Sequence, residues 1–177
     1  MESANNFVYI PLNIAAAKGH VEVVRELLKH GAKVESADKD GQTPLYIATL
    51  NGHVEVVRGL LKHEAIMESA NNFVYIPLNI AAAKGHVEVV RELLKRGPKV
   101  ESVDKYGQKT LYIAALKGHV EVVRELLKHG IKMESSDNFG YTPLYAAAVD
   151  GHIKDIRELL KLGASVKRSH MQGHNPL

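Results

Sequence analysis

GQTPLYIATLNGHVEVVRGLLKHEA, residues 41–65, is the stretch on which the fold turns. Its Thr43-Pro44-Leu45 is followed, eight residues after the proline, by Gly52-His53. The same arrangement returns as Pro11-Leu12 with Gly19-His20, Pro77-Leu78 with Gly85-His86, Thr110-Leu111 with Gly118-His119 and Pro143-Leu144 with Gly151-His152, a period of 33 residues. A period of that length is one supersecondary unit copied in tandem, and such units hold only when stacked on one another. The expected organisation is therefore a single elongated array, with units at about 5–37, 38–70, 71–103, 104–136 and 137–169 and the start of a sixth at 170–177.

Within unit two, Thr43 is placed to cap a helix and Pro44 to open it, because the first helical N–H has no partner to lose. Leu45, Ile47 and Ala48 supply an apolar side, and Asn51-Gly52 stops the helix, since glycine takes the left-handed conformation at low cost. After a turn, Val54, Val57, Leu60 and Leu61 recur at helical spacing and predict a second, antiparallel helix. In the other units that helix ends at Gly31, Gly97, Gly130 and Gly163. The polar connection to the next unit, Val34 to Gln42, contains Asp40-Gly41 and reads as a hairpin. The fold class is an all-α repeat solenoid of helix-turn-helix units joined by β-hairpin loops.

These residues also carry a resemblance. Thr43-Pro44-Leu45, Ala114-Ala115, Gly52-His53-Val54-Glu55-Val56-Val57, Leu27-Leu28 and Gly31-Ala32 resemble the ankyrin repeat, in register in all five units. The resemblance implies a curved solenoid whose hairpins and first helices line a concave groove that binds other proteins. It implies no particular partner.

Several positions depart from the family pattern. Where the family has His after Thr-Pro-Leu, this chain has Asn13, Tyr46, Asn79, Tyr112 and Tyr145, which puts a His-mediated bond between hairpins in question. Val8 and Val74 replace the hairpin Gly, and a β-branched residue resists positive φ, so those two hairpins are expected to be more extended. Lys109-Thr110 replaces Thr-Pro in unit four. Glu64 replaces the capping Gly in unit two, costing about 1 kcal/mol if the left-handed geometry is kept.

A second period of 66 residues overlies the first: Met1 to Lys29 recur unchanged as Met67 to Lys95. Such identity marks a recent duplication or a constructed gene. Unit one therefore carries the surfaces of an internal unit, and unit five differs mainly by Lys154 and Asp155. End-to-end self-association is expected from ends of that kind.

Composition narrows the function. The chain of 177 residues has no Cys, so no disulfide or thiolate chemistry is present. A reducing, intracellular and cytoplasmic setting is expected, with no membrane partner, because no run reaches about eighteen apolar residues. The net charge is +3, but 23 basic and 20 acidic residues are interleaved, as in Glu22, Arg25, Glu26 and Lys29. That alternation reads as a solvated helix face, and nucleic acid is not expected as a partner.

The aromatic residues point to a surface. All ten lie in hairpins or first helices, namely Phe7, Tyr9, Tyr46, Phe73, Tyr75, Tyr106, Tyr112, Phe139, Tyr141 and Tyr145. Aromatic side chains are enriched at binding surfaces. With Lys39, Asp40, Gln42, Lys105, Gln108 and Asn138 they form the candidate partner-binding set. For the three Phe residues, exposure and packing between hairpins both stand open; the Tyr residues are read as surface residues.

Other chemistry finds little support. The five Gly-His histidines would sit roughly 10 Å apart in a stack, too far to share an ion, and His30, His63 and His129 suit helix C-termini. Ser36, Ser69, Ser102 and Ser135 fit local turn bonds. No metal, cofactor or catalytic residue is expected, and no enzyme. The function expected is a protein-interaction scaffold; the alternative is a structural or self-associating segment of a longer array, or a constructed repeat protein without a natural ligand.

Overall fold

The computed structural model describes residues 10–97 and 107–166. Among the described residues, ten helices form five pairs: α1 (Pro11–Lys18) with α2 (Val21–Lys29), α3 (Pro44–Leu50) with α4 (Val54–Lys62), α5 (Pro77–Lys84) with α6 (Val87–Leu94), α7 (Thr110–Leu116) with α8 (Val120–Lys128), and α9 (Pro143–Val149) with α10 (Ile153–Lys161). First helices stack on first helices and second on second, so the molecule has two helical layers. Successive first helices meet more extensively than successive second helices. Ala15, Ala16, Ala48, Ala81, Ala82, Ala114 and Ala115 are buried among them, and their small side chains permit that approach.

Helix starts follow the local chemistry. Thr43 Oγ1 accepts from the Tyr46 amide at 3.2 Å, and Thr142 Oγ1 from the Tyr145 amide at 3.3 Å. α7 starts without proline or side-chain cap; instead the buried Thr110 hydroxyl donates to Asn79 Oδ1 at 2.6 Å in the neighbouring unit. The second helices end in left-handed residues as expected, and Glu64 keeps that geometry at φ 64°.

Each helical pair buries its apolar side mainly against the neighbouring pairs. Leu12, Leu45, Leu78 and Leu111 are at most 1% exposed. In the second layer Val57, Val90, Val123, Leu60, Leu93 and Leu126 are fully buried. The apolar stripe is wider than spacing alone suggests: Val56 is buried while Val54 is only partly so, because the helix packs against its own first helix and against the next second helix.

Histidines fasten one unit to the next. His53, His86, His119 and His152 bring Nε2 to 3.0–3.1 Å from the carbonyls of Ala17, Leu50, Ala83 and Leu116. A carbonyl only accepts, so Nε2 carries the proton. The glycine of the preceding unit makes room for the ring: a Cβ on Gly85 would fall 2.7 Å from His119 Nδ1, and Gly85 has φ +72°. Gly-His is thus a two-residue joint whose halves serve different interfaces.

The charged face is not simply solvated. Arg58, Arg91 and Arg124 each pair within their own helix with Glu55, Glu88 and Glu121. Their Nε atoms then donate across to Glu92, Glu125 and Glu158 of the following unit, at 2.9, 3.0 and 3.1 Å. The hydrogen bond from Arg58 leads the effects that hold the Glu92 carboxyl below its usual range. For Glu125, burial raises the pKa, but the hydrogen bond and charge of Arg91, with Lys128 and His129, outweigh it.

The hairpins are set by a side chain rather than by glycine. Asp38 Oδ1 accepts from the amides of Asp40 and Gln42, Asn71 from Phe73 and Tyr75, and Asp137 from Phe139 and Tyr141, all at 2.9–3.0 Å. The expectation of a more extended third hairpin is corrected: Val74 takes φ 67°, in the same kind of turn as Gly41. The buried Asn71 closes the turn, and the Asn72 amide bonds the Asp40 carbonyl at 3.0 Å. Together they outweigh the steric preference of a β-branched residue. Val8 lies outside the described residues.

Asp155 stands where the other second helices have valine, and it is 1% exposed. Its Oδ1 has no hydrogen-bond partner among the described residues. Burial raises its pKa above 3.8, opposed by His152, by its own backbone N–H, by His119 and by Arg124. The folded chain therefore binds this proton more tightly than the unfolded chain. The resulting stability is complete below the usual aspartate value and is lost as pH rises through the folded value. Asp155→Val should raise stability at pH 7 by roughly 1–3 kcal/mol, with the gain shrinking toward about pH 4. Denaturant unfolding at both pH values checks this; an equal gain at both would show that the carboxylate charge is not the cause.

Candidate partner-binding surface

The hairpin tips form a row along one edge of the first-helix layer, each positioned by its Asx-closed turn. Phe73 and Phe139 are 53% and 56% exposed; of the two alternatives held open for them, the structure shows exposure. Lys39 and Asn138 are exposed, while Asp40, Gln42, Tyr75, Gln108, Tyr141 and Tyr145 are half-buried. Phe7, Tyr9, Lys105 and Tyr106 lie outside the described residues, as does Ser102.

Tyr46 and Tyr112 correct the reading of the tyrosines as surface residues: they are 4% and 6% exposed. They belong to the first turns of α3 and α7, where neighbouring hairpins and helices close over them. Burial first, then the nearby Tyr75, pushes the Tyr46 phenol above its usual value.

The aromatic residues of unit five gather into a platform. Tyr141 and Tyr145 stack with ring centroids 4.2 Å apart and planes 11° apart, and the Phe139 ring lies 6.3 Å from Tyr141. Burial and then the Tyr145 phenol raise the Tyr141 pKa. The stack joins the hairpin, through Tyr141, to the first turn of α9, through Tyr145, beside the exposed Phe139.

Adjacent hairpins are tied side by side. Asn72 Nδ2 donates to the Lys39 carbonyl at 3.0 Å, and Asn13 Nδ2 donates to the Gln42 carbonyl at 3.3 Å. Asparagine thus supplies a bond between units at a position where the family has His. Asn138 sits close against hairpin four: a Cβ on Gly107, which has φ +73°, would fall 2.0 Å from its side-chain oxygen. Sequence reasoning missed this second role of Asn138, and the period itself was the available signal.

The remaining polar candidates have local partners. His30, His63 and His129 place Nδ1 within 2.9–3.0 Å of backbone carbonyls one turn back. Ser36 and Ser135 donate to carbonyls three residues earlier. Ser69 differs, donating instead to Glu35 of the preceding unit at 2.9 Å, a carboxylate that also takes the Ile66 amide.

A family model described as ankyrin repeats, in three copies, matches residues 2–74 and 78–170. The chain belongs to the ankyrin repeat family. Comparison with curated proteins found no match. Ankyrin repeats are generally protein–protein interaction modules and typically non-enzymatic. No helix among the described residues is long and apolar enough to cross a membrane.

Because ankyrin hairpin tips stand outside the stacked layers, changes at the tip and at the first helical turn should separate. Tyr112→Ala should cost roughly 3 kcal/mol through loss of buried aromatic volume, whereas Phe139→Ser should stay within about 0.5 kcal/mol. Urea titrations of both variants check this, and comparable losses would mean that Phe139 packs as a core residue.

Proposed function

We propose that this ankyrin array is a protein-interaction scaffold that holds one partner across several hairpins and the adjoining first helices. The observation that carries the reading is the Phe139, Tyr141, Tyr145 platform, with the exposed Phe73 two units away. Aromatic anchors of limited side-chain entropy dominate many interfaces. Lys39, Asp40, Gln42, Tyr75, Gln108 and Asn138 supply the polar rim. The more extensive packing of the first-helix layer supports a stack bent toward this side. The lack of Cys supports a reducing, cytoplasmic setting.

Phe73→Ser with Phe139→Ser should abolish capture of a partner that the native chain retains from cell lysate, with the fold intact by circular dichroism. Retention by this double variant, together with loss on changing Lys128 and Lys161 of the second-helix layer, would move the site to the opposite face.

A second reading, self-association through the ends, has its own observation. Val23 is 50% exposed whereas its identical counterpart Val89 is 1% exposed, and Leu160 is 42% exposed against 5% for Leu61. Light scattering over a wide concentration range tests it. Mass growth that Leu160→Glu abolishes supports association; a constant monomeric mass removes it.

A further inference from the structure

One residue breaks the regularity of the second helices. The motif Val-Val-Arg-Glu-Leu-Leu-Lys at 23–29, 89–95 and 122–128 reads Val-Val-Arg-Gly-Leu-Leu-Lys at 56–62. Gly59 stands where the other units have Glu26, Glu92, Glu125 and Glu158.

The glutamate at this position gathers basic side chains. Glu125 meets Arg91 Nε at 3.0 Å, Lys128 Nζ at 3.8 Å and His129 Nδ1 at 3.9 Å. Glu92 meets Arg58 Nε at 2.9 Å and Lys95 Nζ at 3.4 Å. The matching basic side chains around Gly59 are Arg25, Lys62 and His63, and all three line one cleft of about 160 Å³ between α2 and α4, together with the Arg58–Glu55 pair. Arg25 pairs with Glu22 through NH1, as Arg58 does with Glu55. Its Nε, unlike that of Arg58, Arg91 and Arg124, has no acceptor among the described residues.

The cleft also has an apolar floor. Val21, half-buried, and Leu28, 8% exposed, line it, and Val24 and Val56 close it off beneath at 1% exposed each. Nothing lies within 4 Å of where a Gly59 Cβ would stand. Basic side chains lining an apolar recess fit an anion that brings its own short hydrocarbon body.

We propose that the cleft between α2 and α4 binds a small organic carboxylate. The carboxylate group meets Arg25, Lys62 and His63, in the manner that Glu125 meets Arg91, Lys128 and His129. A tail of a few carbons rests on Val21 and Leu28, following the path of a glutamate side chain. Sulfate matches the charge without the tail, and butanol matches the tail without the charge. The site is independent of the hairpin surface and lies in the other helical layer.

The test is a titration of the full chain with sodium butyrate, followed by backbone amide NMR. Saturable shifts are expected at Leu28, Gly59 and His63, with none of that pattern from sulfate at matched ionic strength or from butanol. Gly59→Glu, which supplies the carboxylate internally, should abolish the response. Gly59→Ala adds a methyl in open space and should bind as the native chain does. Arg25→Gln should raise the Kd about tenfold by removing a charge-assisted bond. Shifts that are absent, matched by sulfate, or retained in Gly59→Glu overturn the proposal.

Discussion

A unit of 33 residues has two short helices and no room to bury their apolar sides against each other alone. Burial comes from the neighbours, and everything else in the structure depends on that. The chain contains its own control. Val23 and Val89 belong to identical segments, yet one is half exposed and the other is buried, because only Val89 has a unit stacked before it in the described structure. Burying such a side chain is worth roughly 1.5–3 kcal/mol, so cohesion is a sum over junctions rather than the property of a centre.

The polar bonds between units follow the same repeat and set its register. Histidine reaches back 36 residues to a helix-end carbonyl, and arginine reaches forward 34 to a glutamate. Both bonds are specific in direction and distance, whereas apolar contact alone tolerates sliding. Gly19, Gly52, Gly85 and Gly118 belong to this joint, since their bare backbone accepts the next unit's ring.

With cohesion placed in the helices and joints, the hairpin tips are released to vary. An Asp or Asn, half-buried at Asp38 and buried at Asn71 and Asp137, closes each described turn from within. The residue at the tip is therefore Asp40 in one unit and Phe73 or Phe139 in others, without a change of backbone. The same independence localises irregularities. Gly59 removes one carboxylate from one junction, Asp155 places a buried carboxyl in another, and neither alters the helices that carry it.

The amino-acid sequence by itself determined the period, the helix boundaries, the left-handed helix ends and the family, because these rest on local chemistry repeated at a constant offset. Proline, threonine and glycine act on their own backbone or on residues within a turn of it. The tertiary structure alone decided that Tyr46 and Tyr112 are buried, that Val74 takes a left-handed conformation, and that the charged face is a ladder between units. Each depends on an atom contributed by a neighbouring unit. Spacing within one unit shows which side of a helix is apolar; only stacking shows what covers it.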